Sequence, residues 1–211
     1  MNLYSVSLPD RPAILTLLSL DDFKEAQRIT HAYEDAFLTN CIVDAFRHID
    51  GRHGWLGRAV LTQQWRMTLP RFCASIEIPL PPLVSVDRVT YRDADGATVV
   101  LLATGDSPPV TTAVCHTVVG DYFGHIDLLY EQVWPTTQRH PEAVEITFTA
   151  GWADGAPELD VARRGLLFLA GHLMRNREAT VLNTERTLHS QEIELGLEEF
   201  LGSIRTLPDI A

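Results

Sequence analysis

The residues best suited to chemistry in this 211-residue chain lie around position 125. His125 and Asp127 stand two apart in a stretch, His125 to Val133, that reads as a strand, so their side chains share one face. With Asp121 nearby and His116 or His140 as a further ligand, they offer the donors of a zinc or manganese site, and so a small metal-dependent hydrolase. The competing reading is a polar strand face beside a loop, and eight histidines in one chain produce accidental pairs. Glu142 and Glu145 have the chemistry of an acid/base pair, but they open an alternating strand, where solvent-facing acids are ordinary. Trp55, Trp65, Trp134 and Trp152 have faces on which bases or sugars stack, yet no basic residues interleave with them, and anchoring of loops and strands explains them more simply. Neither glycine-rich phosphate loop is present, nor a GxSxG elbow, nor an HExxH pair. No catalytic, cofactor-binding or metal-binding residue is therefore assigned, and no cofactor is expected.

Charge narrows the partners. Seventeen basic against 28 acidic residues give a net charge of -11, the wrong sign for a protein that holds nucleic acid by neutralising phosphates. All the cations but Lys24 are arginine, which suits planar, bidentate contacts with carboxylates, although a GC-rich genome gives the same bias. Cys41, Cys73 and Cys115 form no CxxC and are odd in number, so they read as reduced core residues. The first twenty residues lack a basic region followed by a long apolar run, and no window of 18 apolar residues occurs. A soluble, cytosolic chain without a signal peptide is expected.

The elements follow from periodicity. Ser19 and Asp22 have capping-box spacing, with Leu18 and Phe23 as the hydrophobic staple, so a short helix starts at Ser19. From His31 to Ile49 the residues Tyr33, Phe37, Cys41, Ala45 and Ile49 recur every fourth position, and Gly51 ends this second helix. Leu61 to Leu69 alternates with a period of two. Pro70, Pro79, Pro81 and Pro82 confine Ser75 to Ile78 to a short or edge strand. Val84 to Arg92 and Ala97 to Ala103 flank the turn Ala94-Asp95-Gly96, which predicts a hairpin. A loop and another strand are expected over 105–124, and Val144 to Ala150 is the clearest alternation after the first strand. Pro157 opens a long helix to about Asn176 whose polar stripe is Asp160, Arg164, Gly171 and Arg175, and whose remaining surface is apolar. Glu178 to Ala211 carries seven acids against two arginines and reads as an acidic, loosely tethered tail. The fold class expected is α+β, with N-terminal helices and the long C-terminal helix packed together around an inserted antiparallel sheet of five or six strands. The divisions are 1–57 helical, 58–152 β, 153–178 the long helix and 179–211 the tail.

Several segments, in order, resemble the head-tail connector, or adaptor, proteins of long-tailed phages and of phage-derived gene transfer agents. They are Gly57-Arg58-Ala59-Val60-Leu61-Thr62-Gln63-Gln64-Trp65, Ile78-Pro79-Leu80-Pro81-Pro82-Leu83 and Tyr91-Arg92-Asp93-Ala94-Asp95-Gly96. Trp134-Pro135, Phe148-Thr149-Ala150-Gly151-Trp152 and the helix from Pro157 to Arg175-Asn176-Arg177-Glu178-Ala179 continue the series. The likeness spans Leu20 to about Leu201. The long N-terminus, Met1 to Ser19, and the acidic tail depart from many relatives.

The resemblance implies a non-enzymatic structural part of the virion neck, assembled in the host cytoplasm. In the family, a ring, usually of twelve copies, sits below the portal protein, extends the DNA channel without sequence-specific binding, and meets a head-closure (stopper) or tail-terminator protein. It implies portal docking through the tail, here Arg177, Arg186, Leu195, Leu197, Phe200 and Leu201. Subunit contacts are expected at Phe37 and Phe46 on the second helix and at Leu167, Phe168 and Met174 on the long one, because their apolar faces are wide. Besides the hydrolase, the remaining alternative is an assembly chaperone absent from the finished particle.

Overall fold

The computed structural model describes residues 1–104, 110–111 (backbone only), 114–119, 123–176 and 198–206. The chain is α+β and divides into two compact units, Met1–Leu8 with Thr62–Trp152, and Pro9–Leu61 with Ala153–Ala211.

The first unit is built on an antiparallel sheet of six strands in the order β1 (Asn2–Ser7), β2 (Gln63–Leu69), β9 (Val144–Ala150), β4 (Leu83–Arg92), β5 (Thr98–Ala103) and β6 (Val110–Thr111). The period-two pattern becomes register directly: Met67 pairs with Ile146 and Trp65 with Phe148, while Val86 and Val89 meet Phe148 and Ile146 from the other side. Met67, Val86, Val89, Val144, Ile146 and Phe148 are buried, and the alternate residues Arg66, Glu145, Thr147 and Thr149 lie on the opposite face. The β4–β5 hairpin closes where Asp93 Oδ1 accepts hydrogen bonds from the Asp95 and Ala97 amides, at 3.0 and 2.8 Å, with Gly96 at φ +87°.

Three expectations for this unit need correction. The expected antiparallel sheet of about five or six strands forms, but it does not take in every short strand: β3 (Ser75–Ile78), β7 (Cys115–Val118) and β8 (Gly124–Leu128) make a separate three-stranded sheet in the order β3-β8-β7. The prolines that flank β3 end its ladder before it can join the larger sheet. Asn2–Ser7, which lies in the part expected to be helical, is a strand paired with β2. The strand expected to reach Val133 stops at Leu128, and Glu131 beyond it adopts left-handed backbone, φ +59°, which breaks a ladder.

The second unit contains α1 (Arg11–Leu17), α2 (Leu20–Gln27), α3 (Asp35–Ile49) and α4 (Pro157–Arg175). Asp10 caps α1 through the Ala13 amide at 2.9 Å, and Ser19 caps α2 through the Asp22 amide at 3.1 Å. α3 begins at Asp35, four residues later than expected, because His31 and Tyr33 stack on each other in the loop before it, at 3.9 Å, and Lys24 Nζ holds Asp35 at 2.7 Å. α4 starts on Pro157, with Glu158 and Asp160 in its first turn and His172 and Arg175 in its last, the placement that suits the helix dipole. It packs against α3. Ile14, Leu18, Phe23, Leu38, Ile42, Phe46 and Leu166 are buried in this unit.

The chain also returns to this unit after α4. Helical residues 198–201 lead into a 3₁₀ turn, Gly202–Ile204. Leu201 is fully buried, against Gly165 in the middle of α4. The Thr206 amide donates to the Leu56 carbonyl at 2.9 Å, and the Arg205 guanidinium lies 4.1 Å from the centre of the Trp55 ring while pairing with Glu198 at 3.2 Å. The loosely tethered tail expected from its acidity is thus corrected for 198–206, where apolar burial outweighs the charge of the flanking glutamates.

Candidate interaction surfaces

The His/Asp set does assemble in part. On β8, His125 stands opposite Glu77 of β3 and Val118 of β7, and Asp127 opposite Ser75 and His116. This face turns outward, because Ile76, Ile78, Ile126 and Cys115 of the same strands are buried on the other. No three His, Cys, Asp or Glu side chains among the described residues come together as metal ligands. His140 accepts a hydrogen bond from the Glu142 amide through Nδ1 at 3.0 Å, and Asp121 lies outside the described residues. Glu142 accepts from the Tyr4 hydroxyl at 3.2 Å and Glu145 faces Arg66 at 3.7 Å, so neither is poised as half of an acid/base pair. The tryptophans are packed: Trp134 stacks on Phe72 at 4.5 Å, Trp65 donates to Gln63 at 3.0 Å, Trp55 lies under Arg205, and Trp152 is buried. Among the described residues, no helix is long and apolar enough to cross a membrane.

The polar side of the large sheet is tied together by a residue that the sequence did not flag. A bulge between Val86 and Arg88 frees Asp87 from the ladder. Its carboxylate accepts from Ser85 Oγ at 2.7 Å, from Thr149 Oγ1 at 2.7 Å and from Gln64 Nε2 at 3.0 Å, so it joins β4, β9 and β2. Its backbone carbonyl accepts from Thr104.

The helical unit carries the most distinctive surface. Along the outer side of α4 runs a cleft of about 380 Å³ whose floor is Leu167, Phe168, Gly171 and Phe200 and whose rim is Gln27, Arg164, His172 and Arg175. Phe168 and Phe200 are 38% and 41% exposed, with ring centres 5.5 Å apart. Among the described residues, no carboxylate lines the cleft. Arg175 meets only the Gln27 side-chain oxygen, at 3.3 Å, and Arg164 has no carboxylate partner among the described residues. The neighbouring cleft over α2, which Arg164 also borders, carries the acids Asp22, Glu25 and Asp160, and there Arg163 is paired with Asp22 at 2.8 Å. The Ser19 hydroxyl and, after it, the Arg163 charge hold the Asp22 carboxyl below its ordinary value of 3.8.

A second exposed apolar feature lies on the sheet-bearing unit. After β8 the chain turns through Leu129, Tyr130, Glu131, Gln132 and Val133, with the Gln132 amide donating to the Leu129 carbonyl at 3.1 Å. Tyr130 is 88% and Val133 81% exposed.

The residues expected at contacts divide accordingly. Phe168 and Phe200 are exposed and share the cleft, with Leu167 half-buried in its floor. Met174 and Phe37 are half-buried. Phe46 is corrected: at 2% exposure it belongs to the core, because it lies with Leu38, Ile42 and Ile49 on the inward face of α3. Leu201 is likewise inside the chain's own fold. Arg177, Arg186, Leu195 and Leu197 lie outside the described residues. Sequence reasoning missed Asp87, the Leu129–Val133 turn and the partnering of Gly165 with Leu201. The polar stripe Arg164, Gly171, Arg175 was the available signal for the cleft.

No protein-family model matches the chain, and no curated protein matches it. Solved structures do. The chain is similar over 100% of its length, and over 98% of theirs, to chains of the neck of an empty gene transfer agent particle computed with C6 symmetry (TM-score 0.70, 20% identity) and of the neck of a native particle computed with C12 symmetry (0.69, 20%). A chain from the virion of a native gene transfer agent particle matches with the same coverage (0.68, 21%). The chain therefore has the fold of a component of the gene transfer agent neck.

Proposed function

We propose that this protein is a non-enzymatic head-tail connector: a ring component, in twelve copies, that sits below the portal, extends the DNA channel and joins the head to a stopper or tail-terminator protein. The observation that carries the reading is the end-to-end likeness to chains of particle necks, in which neither molecule has a substantial part left unmatched. A neck computed with C12 symmetry suits the copy number. The net charge of -11 suits a conduit, because a negative lumen repels passing DNA and does not retain it. The packed tryptophans and scattered His/Asp residues give a reaction no obvious seat.

The portal is met by the segment that leaves α4 and returns at Glu198, with Arg177, Arg186, Leu195 and Leu197 as its contacts. Because Leu201 and Ile204 are buried, removal of everything after Glu178 would damage the fold, so the informative variant replaces 178–197 with a Gly/Ser linker of equal length. The expected outcome is a folded protein that no longer binds purified portal in pull-down and is missing from necks imaged by electron microscopy. Undiminished portal capture by that variant would refute the docking assignment. Purified particles that lack the protein altogether would refute the connector reading and favour a chaperone.

A further inference from the structure

We propose that the apolar cleft on α4, with its arginine-bearing rim, is a socket for the Leu129–Val133 turn of a second copy of this chain. The inference rests on the ring reading above and names its subunit contact. Three observations support it. The first is the pairing of surface types: Phe168 and Phe200 stand exposed over Gly171, which leaves room for a ring to approach, and Tyr130 is an almost fully exposed aromatic side chain. Buried aromatic and arginine residues dominate the energetics of interfaces, whereas a contiguous exposed apolar patch on a lone subunit marks a contact surface.

The second is charge. Among the described residues Arg164 and Arg175 border this cleft with no carboxylate in its lining, while Asp22, Glu25 and Asp160 sit with Arg164 in the neighbouring one, in a chain with 28 acids and 17 bases. Glu131, at the tip of the turn, has no cationic partner among the described residues. Seating the turn in the cleft supplies each with the other, and this complementarity selects a copy of the same chain over an arbitrary apolar partner. The third is preorganisation. Glu131 holds left-handed backbone, which side chains other than Gly, Asn and Asp seldom adopt, within a turn pinned by the Gln132-to-Leu129 bond and by the Leu129 amide donating to the Val114 carbonyl at 2.9 Å. A turn already set in shape loses little freedom on docking. The knob and the socket are different surfaces, so the contact is heterologous and propagates from copy to copy, as a cyclic ring requires.

Cross-linking tests this. Cys73 is exposed and is first changed to Ser, while Cys41 and Cys115 are buried. In that background Tyr130→Cys and Phe168→Cys are made separately and together, and oxidised both as concentrated free protein and in assembled particles. The expected result is a heterodimer only when the two single variants are mixed, and a ladder of oligomers from the double variant. Glu131→Arg lowers the yield roughly tenfold, and adding Arg164→Glu restores it. Particles whose necks contain the protein but show no link overturn the inference and leave the connector reading standing. Linkage of Phe168→Cys to another virion protein alone also overturns it, by giving the cleft to that partner. Links in free protein that is absent from necks uphold the contact and sink the connector reading.

Discussion

Gly165→Ala should destabilise the protein even though alanine is the better helix former, and the reversal can be worked from one contact. In the interior of α4 the exchange alone is worth about 0.8–1.0 kcal/mol in favour of alanine. A Cβ at this position, however, would stand 2.5 Å from Leu201 Cγ and 2.8 Å from its Cδ1, with Cδ2 closer still. Leu201 has no exposed surface, so its side chain must leave its site, which forfeits roughly 2–3 kcal/mol of burial. The net expectation is a loss of about 1–2 kcal/mol in equilibrium urea unfolding followed by circular dichroism. Leu201→Ala alone should cost about 2–5 kcal/mol. In that background the obstructing atoms are gone, so Gly165→Ala should change sign and stabilise by up to ~1 kcal/mol. Gly171→Ala serves as a control, since its Cβ would meet only the Gln27 amide nitrogen at 2.9 Å, at the end of a side chain that can swing aside. Hydrogen exchange should quicken in 198–206 for Gly165→Ala and not for Gly171→Ala. If Gly165→Ala stabilises the parent, or shifts stability equally in both backgrounds, then 198–206 does not pack on α4 in solution.

Two further outcomes are expected. Asp87→Ala should cost roughly 2–3 kcal/mol in the same urea assay, since three donors from three strands lose a charged acceptor, and Asp87→Asn should recover only part because an amide accepts through one atom; a loss below ~0.5 kcal/mol would show that water replaces the network freely. Asp22 is held below 3.8 in the folded state, so its stabilisation is complete above that value and fades as the pH falls through it; the gap between parent and Asp22→Asn should be constant from pH 5 to 7 and close on further acidification, and a gap that widens in acid would contradict the assigned Ser19 and Arg163 contacts.

The parts legible in the sequence were those governed by a single periodicity. β9 alternates without a break and is found at the expected Val144–Ala150, and the Asp93 side chain makes the hairpin turn that the run to Gly96 signals. Ser19 starts α2 by the cap its spacing implies. The split into two sheets was not legible, because β3 and β8 are each too short for their alternation to say which neighbours they pair with. β1 was missed for a related reason: at the edge of the sheet its residues are mostly exposed, so Asn2–Ser7 carries no apolar alternation. Leu201 illustrates a third limit. Nothing local distinguishes it from Leu195 or Leu197, and only the glycine 36 residues earlier, with no side chain of its own, provides its site. The cleft was half legible: Arg164, Gly171 and Arg175 could be placed on one stripe, but that Asp22 pairs with Arg163, while Arg164 borders both this cleft and the acidic one over α2, depends on how α2 packs.

That distinction between neighbouring arginines bears on how such a subunit can stay apart and still assemble. With a net charge of -11, copies repel one another at a distance, although at physiological salt the repulsion fades beyond about 8 Å. Four of the basic groups described here are spent within the chain: Arg163 on Asp22, Arg66 on Glu145, Lys24 on Asp35, Arg205 on Glu198. Such pairs are exposed and contribute little to stability, but each removes a cation that could attract the wrong acidic surface. On the proposed contact, Arg164 and Arg175, which make no ion pair among the described residues, are the place where an incoming carboxylate is favoured over water, and the apolar floor between Phe168 and Phe200 favours a carboxylate carried beside an aromatic side chain. On the proposed contact, the acidic chain would obtain selectivity at this cleft from the charges it has neutralised elsewhere. Neutralising Arg164 and Arg175 together should consequently weaken assembly more than the removal of any of the four internal pairs, while leaving the fold of the helical unit intact.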